Sequence, residues 1–219
     1  MKVLTILMIV FISMIDGITQ DLESPLPPRT MHSGYLVNLE GDTVQGWVKF
    51  MTVIANQFNV SLYAQESDSR PQASYKPKDL MGYQVGDLYY ASVPFSGEGF
   101  SRKRSFMIRL IEGPVSLYQW YYDESLMFDS QDLNEAMGRE EVLSVELDEG
   151  MEIQYFGVRG NEKPVDFSSV KFGMNFKKQM SKYVSDCPEL AEKIASRTEG
   201  YGYGDLPRII TEYNQWLQR

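Results

Sequence analysis

One cysteine and one histidine bound the chemistry open to this chain of 219 residues. Cys187 lies in "YVSDCPELAEKI" (183–194), one residue before Pro188, where the spacing predicts a helix start. Backbone N–H groups and the helix dipole at such a place lower a thiol's pKa and favour a nucleophilic thiolate. Asp186, Glu189 and Glu192 oppose this by raising it, and no histidine lies near in sequence to act as a base. The residues therefore favour a buried structural thiol, with pairing between chains as the other use of an unmatched cysteine. His32 precedes the first convincing strand and is expected in an N-terminal lead-in. Cys-His or Ser-His catalysis would have to recruit it, and a histidine-rich zinc site is excluded. No metal, cofactor or catalytic residue is predicted.

Aromatic residues offer a different chemistry. In "LYQWYYDE" (117–124) a strand puts Tyr118, Trp120 and Tyr122 on one face, with Leu117 and Tyr121 on the other. A row of exposed rings, joined by Trp47 in an earlier strand, could stack on sugar rings or on a peptide. Apolar bulk on both faces also fits a strand buried on both sides. Carboxylates are plentiful: Asp123 and Glu124, Asp129 and Asp132, and the run from Glu140 through Glu152. A facing pair could hydrolyse glycosides, but solvated charge accounts for them as well. "DSQDLNE" lacks the glycine and spacing of a calcium loop. Arg102, Lys103 and Arg104 are expected to guard a strand end against edge pairing. "NVS" at Asn59 fits a glycosylation acceptor only in a eukaryotic secretory pathway. No phosphate loop, dinucleotide fingerprint or nucleophile elbow is present.

The elements that position these residues begin after an export signal. "MKVLTILMIVFISMIDGITQDLESPLPPRT" has a positive Lys2, an apolar stretch from Val3 to Ile15, small residues, then a polar proline-rich segment. That order is a secretory signal peptide over residues 1–19, too short for an ordinary membrane span. No later segment is apolar enough to cross a bilayer as a helix. The net charge of −9 speaks against nucleic acid as a partner. A single cysteine rules out an intramolecular disulfide framework.

A lead-in over 20–33 is followed by hairpins through residues 34–160. "GYLVNLEGDTVQGWVKF" (34–50) turns around Glu40-Gly41-Asp42, with Tyr35, Val37 and Leu39 read as the apolar face of its first strand. "NQFNVSLYAQ" (56–65) reads as another strand. "MGYQVGDLYYASVPF" (81–95) echoes the first hairpin, either by duplication or because both obey the same turn chemistry. Further turns are expected at Glu112-Gly113-Pro114 and at Asp148-Glu149-Gly150, the latter within "VLSVELDEGMEIQYFGV" (142–158). The connection between those two hairpins is polar, with room for a helical turn. From residue 165 to 219 the period becomes helical. Phe172, Phe176, Met180, Tyr183 and Val184 form one stripe, Pro188 opens a second helix capped by Ser185, Asp186 or Cys187, and Asp205 caps a third. The expected class is α+β: mostly antiparallel β-hairpins, barrel- or sandwich-like, followed by a small C-terminal helical unit packed on them. A membrane barrel is disfavoured by the helical C-terminus and the charged runs within the strands.

The hairpin at 34–50, the "YKPKDLMGYQV" and "IRLIEGPVSLYQ" segments, and the tail with "SDCPEL" and "EYN" resemble a family of exported proteins common in Bacteroidetes, over most of residues 34–216. The resemblance implies an exported bacterial protein and brings no activity with it. It also implies a second cysteine in relatives just after the Tyr-Asn pair, where this chain has Trp216. "DTV" (42–44) resembles the short site such bacteria use for O-glycosylation, which would fall on Thr43. The expectation is a non-catalytic binding or interaction protein in the periplasm, at the cell surface or outside the cell, with a glycan or an envelope protein as its partner. A carboxylate-dependent glycan hydrolase and a self-associating structural component of the envelope are the alternatives.

Overall fold

A computed structural model of the chain describes residues 25–95, 104–123 and 151–219. The signal peptide, the first part of the lead-in, Arg102, Lys103 and the carboxylates from Glu124 to Gly150 lie outside the described residues. So does the strand expected at 142–147, with its turn.

Among the described residues ten strands form one open antiparallel sheet in the order β4-β3-β2-β1-β5-β6-β7-β8-β9-β10. They are β1 (Thr30–Val37), β2 (Thr43–Phe50), β3 (Val60–Tyr63), β4 (Ala73–Tyr75), β5 (Gly82–Val85), β6 (Leu88–Pro94), β7 (Arg104–Ile111), β8 (Val115–Asp123), β9 (Met151–Arg159) and β10 (Val165–Asp166). Both edges are very short strands, which leaves little backbone for another chain to pair with. Four helices follow: α1 (Val170–Met174), α2 (Phe176–Tyr183), α3 (Pro188–Ala195) and α4 (Leu206–Leu217). The α+β class therefore holds, with a β-rich body that is a single sheet and does not close on itself. No helix among the described residues is long and apolar enough to cross a membrane.

The segment joining β2 to β3 decides the shape. Residues 52–58 are all buried, and Ala55–Gln57 is a 3-10 turn where the alternation predicts strand. Strand pairing is replaced there by local bonds: Ala55 N donates to Thr52 Oγ1 at 3.0 Å and Met51 N to Asn56 Oδ1 at 2.7 Å. The turn is then gripped from across the sheet. Tyr83 OH (β5) donates to Asn56 O, and Ser105 Oγ (β7) donates to Gln57 O. The Gln57 side chain bonds both backbone groups of Tyr121 on β8, Nε2 to O at 3.0 Å and N to Oε1 at 2.6 Å. Strands β2 and β8 are five places apart, about 24 Å in a flat sheet. One short turn touches β5, β7 and β8 because the sheet curls around it. Leu36, Val48, Phe50, Tyr83, Tyr90, Phe106, Ile108 and Tyr121 pack on that inner face with Ile54 and Phe58.

The helices cover the other end of the same inner face. Val115 and Leu117 of β8 join Phe167, Phe172, Met180, Val184, Leu190, Ile209, Ile210 and Tyr213 in a second core. This is the predicted helical stripe, split at Asn175 into α1 and α2.

Several expectations change. His32 lies inside β1, opposite Val48, and bonds Thr30 Oγ1. The inward residue of β1 is Leu36; Tyr35 and Val37 face outward, and Leu39 is exposed beyond the strand. The sequence misleads there because a central strand carries apolar residues on both faces. The two echoing hairpins do not place their matching residues alike. In the β1–β5 register Tyr35 stands opposite Gln84 and Leu36 opposite Tyr83, so the two Gly-Tyr tyrosines point to opposite faces. What the hairpins share is a glycine with positive φ in each turn, Gly41 and Gly86. Cys187 and Asp205 occupy the capping positions of α3 and α4, each without a side-chain cap bond, and the Asp205 carboxylate accepts Gly202 N instead.

Candidate functional site

The outer face of the sheet collects the polar aromatics. Pairing sets Tyr35 (β1) opposite Gln84 (β5), Gln84 opposite Tyr89 (β6), Arg109 (β7) opposite Tyr118 (β8), and Tyr118 opposite Phe156 (β9). The Arg109 guanidinium lies 4.1 Å above the centre of the Tyr89 ring, and Tyr35 meets the same ring at 6.4 Å between centroids. Arg109 Nη1 also holds Glu112 at 2.8 Å. Tyr35, Tyr89, Arg109 and Tyr118 are all half-buried, and Tyr89 and Tyr118 pack against a buried cluster that includes Met107, Trp120 and Phe156.

Local structure aims these groups. The β7–β8 register slips between Arg109 and Ile111, so Leu110 is an extra residue, 40 % exposed. Such a bulge bends its strand and redirects the neighbouring side chain, here Arg109. Tyr89 lies back across Gly82, where an added Cβ would stand 2.5 Å from its hydroxyl. Burial pushes the Tyr89 phenol up; Arg109 opposes that, while Tyr35 and Tyr118 add to it. A flat cation stacked on one phenol, with Tyr118 beside the cation and Tyr35 beyond the stacked ring, can bind a ligand that offers both an apolar face and hydroxyl or carboxylate groups.

The predicted site residues separate. Tyr118 belongs to this row. Trp120 is 2 % exposed, packs on Phe95 at 4.7 Å and donates Nε1–H to Ser105 Oγ, so it is core and offers no face to a ligand. Tyr122 is half-buried beside it at 6.0 Å. Trp47 is on the same face but on β2, opposite Ser33 and Tyr63, five strands from β8. Thr43 is exposed at the start of β2. Sequence alone does not bring Tyr35, Tyr89 and Arg109 together, because only the register joins them; the one local signal is the Tyr-Tyr pair at 89–90.

Cys187 is buried at 4 % exposure with its thiol free. Beside it Asp186 accepts the Tyr213 hydroxyl and pairs with Arg159 at 3.4 Å. Arg159 sits 5.3 Å and 5.2 Å from the ring centres of Tyr183 and Tyr213. This cluster ties the end of β9 to α2, to the turn before α3, and to α4. Burial and the bond to Asp186 push the Tyr213 phenol up. Trp216 packs against the same core as Cys187 and stacks on Tyr213.

Among the described carboxylates Asp166 is pushed up by burial, yet its Oδ1 already accepts the Ser168 and Ser169 amides and shapes the entry to α1. Among the described residues no group of three or more His, Cys, Asp or Glu side chains converges as metal ligands would. Compared with family models, curated proteins and solved structures, the chain matches none.

Proposed function

We propose that this is a non-catalytic binding protein of the bacterial envelope, exported by its N-terminal signal, that takes a glycan across Tyr35, Tyr89, Arg109 and Tyr118. The observation that carries the proposal is the Arg109 guanidinium stacked on Tyr89, with Tyr118 beside the cation and Tyr35 beyond the stacked ring, on a rigid sheet face. Phenol rings present flat apolar faces to the C–H side of a sugar ring, while Arg109, Gln84 and the phenol hydroxyls meet its oxygens. Tyrosine and arginine anchors of this kind dominate binding energy where they occur.

Titration calorimetry with soluble oligosaccharides from envelope and plant polysaccharides tests this. Tyr118→Ala is expected to weaken binding by about 30-fold, the effect of losing one such anchor. Arg109→Ala should do likewise, and the sugar should be recovered uncut. Binding that both variants leave unchanged rejects the site, and shortened products place the chain among glycan hydrolases.

A further inference from the structure

Helices α1 and α2 break the charge pattern of the molecule. Between Asp166 and Asp186 the chain carries Lys171, Lys177, Lys178 and Lys182 and no acidic residue, in a protein whose net charge is −9. All four lysines are exposed, and none is in an ion pair among the described residues. The two most exposed large apolar side chains of the described residues are in the same segment: Val170 at 76 % and Met174 at 81 %. They stand four apart on α1, hence on one side of it. Phe172 and Met180 face the core from the same two helices, so the outward placement of Val170 and Met174 is not a failure to pack. Tyr203, also exposed, closes on Phe176 at 5.7 Å between ring centroids.

We propose that α1–α2 docks the protein on an anionic phospholipid surface, with Val170 and Met174 entering the headgroup region and the four lysines meeting lipid phosphates. Charge complementarity selects the partner: four exposed, unpaired cations share one segment of an otherwise acidic molecule. Either signal alone binds a bilayer weakly, whereas an apolar insertion joined to a basic cluster gives stable yet reversible attachment. Tyr203 has the amphipathic ring favoured at the membrane interface. This site lies on different elements from the tyrosine row and stands without it.

Vesicle co-sedimentation tests the proposal. The chain should start at Gln20, so that the apolar residues 3–15 do not insert themselves; every described element lies beyond that point. Binding is expected to phosphatidylglycerol vesicles, to fall steeply between 0.05 and about 0.5 M salt, and to be weak on phosphatidylcholine. Lys177→Gln with Lys178→Gln should weaken it by about 30-fold, from about 1 kcal/mol per lysine near the surface. Met174→Ser should weaken it by about tenfold through lost apolar insertion. Both variants change exposed side chains, and unchanged melting curves would show that the fold is kept. Equal binding to both lipids, or no response to either variant, overturns the proposal. Binding that heparin abolishes and Met174→Ser leaves intact also overturns it, and assigns the lysines to an acidic polymer.

Discussion

Strand β8 is gripped near each end by the amide of a single side chain, and the two grips are built differently. At Tyr121 the amide is Gln57, from the turn that plugs the curled sheet; it bonds both N–H and C=O of the strand. At Val115 it is Asn214 of α4, with Oδ1 accepting Val115 N at 2.8 Å and Nδ2 donating to Val115 O at 2.7 Å. Each side chain stands in for a neighbouring strand. β7 pairs with β8 only from Leu117 to Gln119, and beyond those residues the backbone groups of β8 that face away from β9 would otherwise be buried unpaired. The Gln57 turn is itself held by Tyr83 and Ser105. Asn214 rests on one helix, fitted over Gly113, where an added Cβ would come within 2.6 Å of its Nδ2. One grip is a node in a network, and the other a single post.

Breaking the node should cost most. Gln57→Leu leaves two buried backbone groups of Tyr121 unpaired and frees the turn from β8, an expected loss of about 3–5 kcal/mol. Urea unfolding monitored by circular dichroism would measure it, and a loss below about 1 kcal/mol would show that water replaces the amide. Asn214→Leu should cost somewhat less, about 2–4 kcal/mol, because only one helix depends on it. Cys187, buried beneath the helices, sharpens the contrast. Its labelling by a thiol reagent should rise more in Asn214→Leu than in Gln57→Leu at matched global stability, since the first loosens the helical unit locally. Equal labelling would make the two halves one cooperative unit.

Protonation separates the grips further. Asn214→Asp keeps the shape but sets a carboxylate against Val115 O. Burial would raise that carboxyl above its unfolded value, so the folded variant binds the extra proton. Its stability is then greatest below the unfolded carboxylate pKa and falls as pH rises through the folded one. In the wild type Glu212 slopes the other way. Burial pushes its carboxyl up, but bonds from Lys193 at 2.6 Å and Tyr201 at 2.8 Å outweigh that and hold it below the ordinary range. Its contribution is present above the unfolded pKa and fades as pH drops through the folded one. Melting curves at pH 4 and 7 should therefore show a smaller gap between wild type and Asn214→Asp at pH 4. A gap that widens on acidification would contradict the assignment.

How far the sequence could foresee these grips depends on range. Hairpin turns were legible because glycine with positive φ marks them locally, as at Gly41 and Gly86. The stripe Phe172, Phe176, Met180 and Val184 was legible because helical period alone sets its face. Gln57 was not: it sits in a run whose alternation reads as strand, and its partner is 64 residues away. The Tyr35–Tyr89–Arg109–Tyr118 row needs four separate strand registers before it exists. Trp120 and Tyr118 share a face by period, but which of them stays at the surface depends on Phe95, from another hairpin.

The smallest predicted effects concern two tyrosines stacked at 4.8 Å beneath the Gln57 turn. Both are fully buried, and burial pushes both phenols well up. Tyr83 OH donates to Asn56 O at 2.7 Å, whereas Tyr90 OH has no hydrogen-bond partner among the described residues. Removing each hydroxyl should therefore have opposite signs. Tyr83→Phe orphans the Asn56 carbonyl and should lose about 1–2 kcal/mol. Tyr90→Phe removes an unpaired buried polar group and should leave stability unchanged or raise it by about 1 kcal/mol. Each change preserves the ring stack, so packing does not confuse the comparison. If Tyr90→Phe instead costs as much as Tyr83→Phe, an ordered water or another group pairs the Tyr90 hydroxyl, and the network that anchors the Gln57 grip also takes in β6, between β5 and β7.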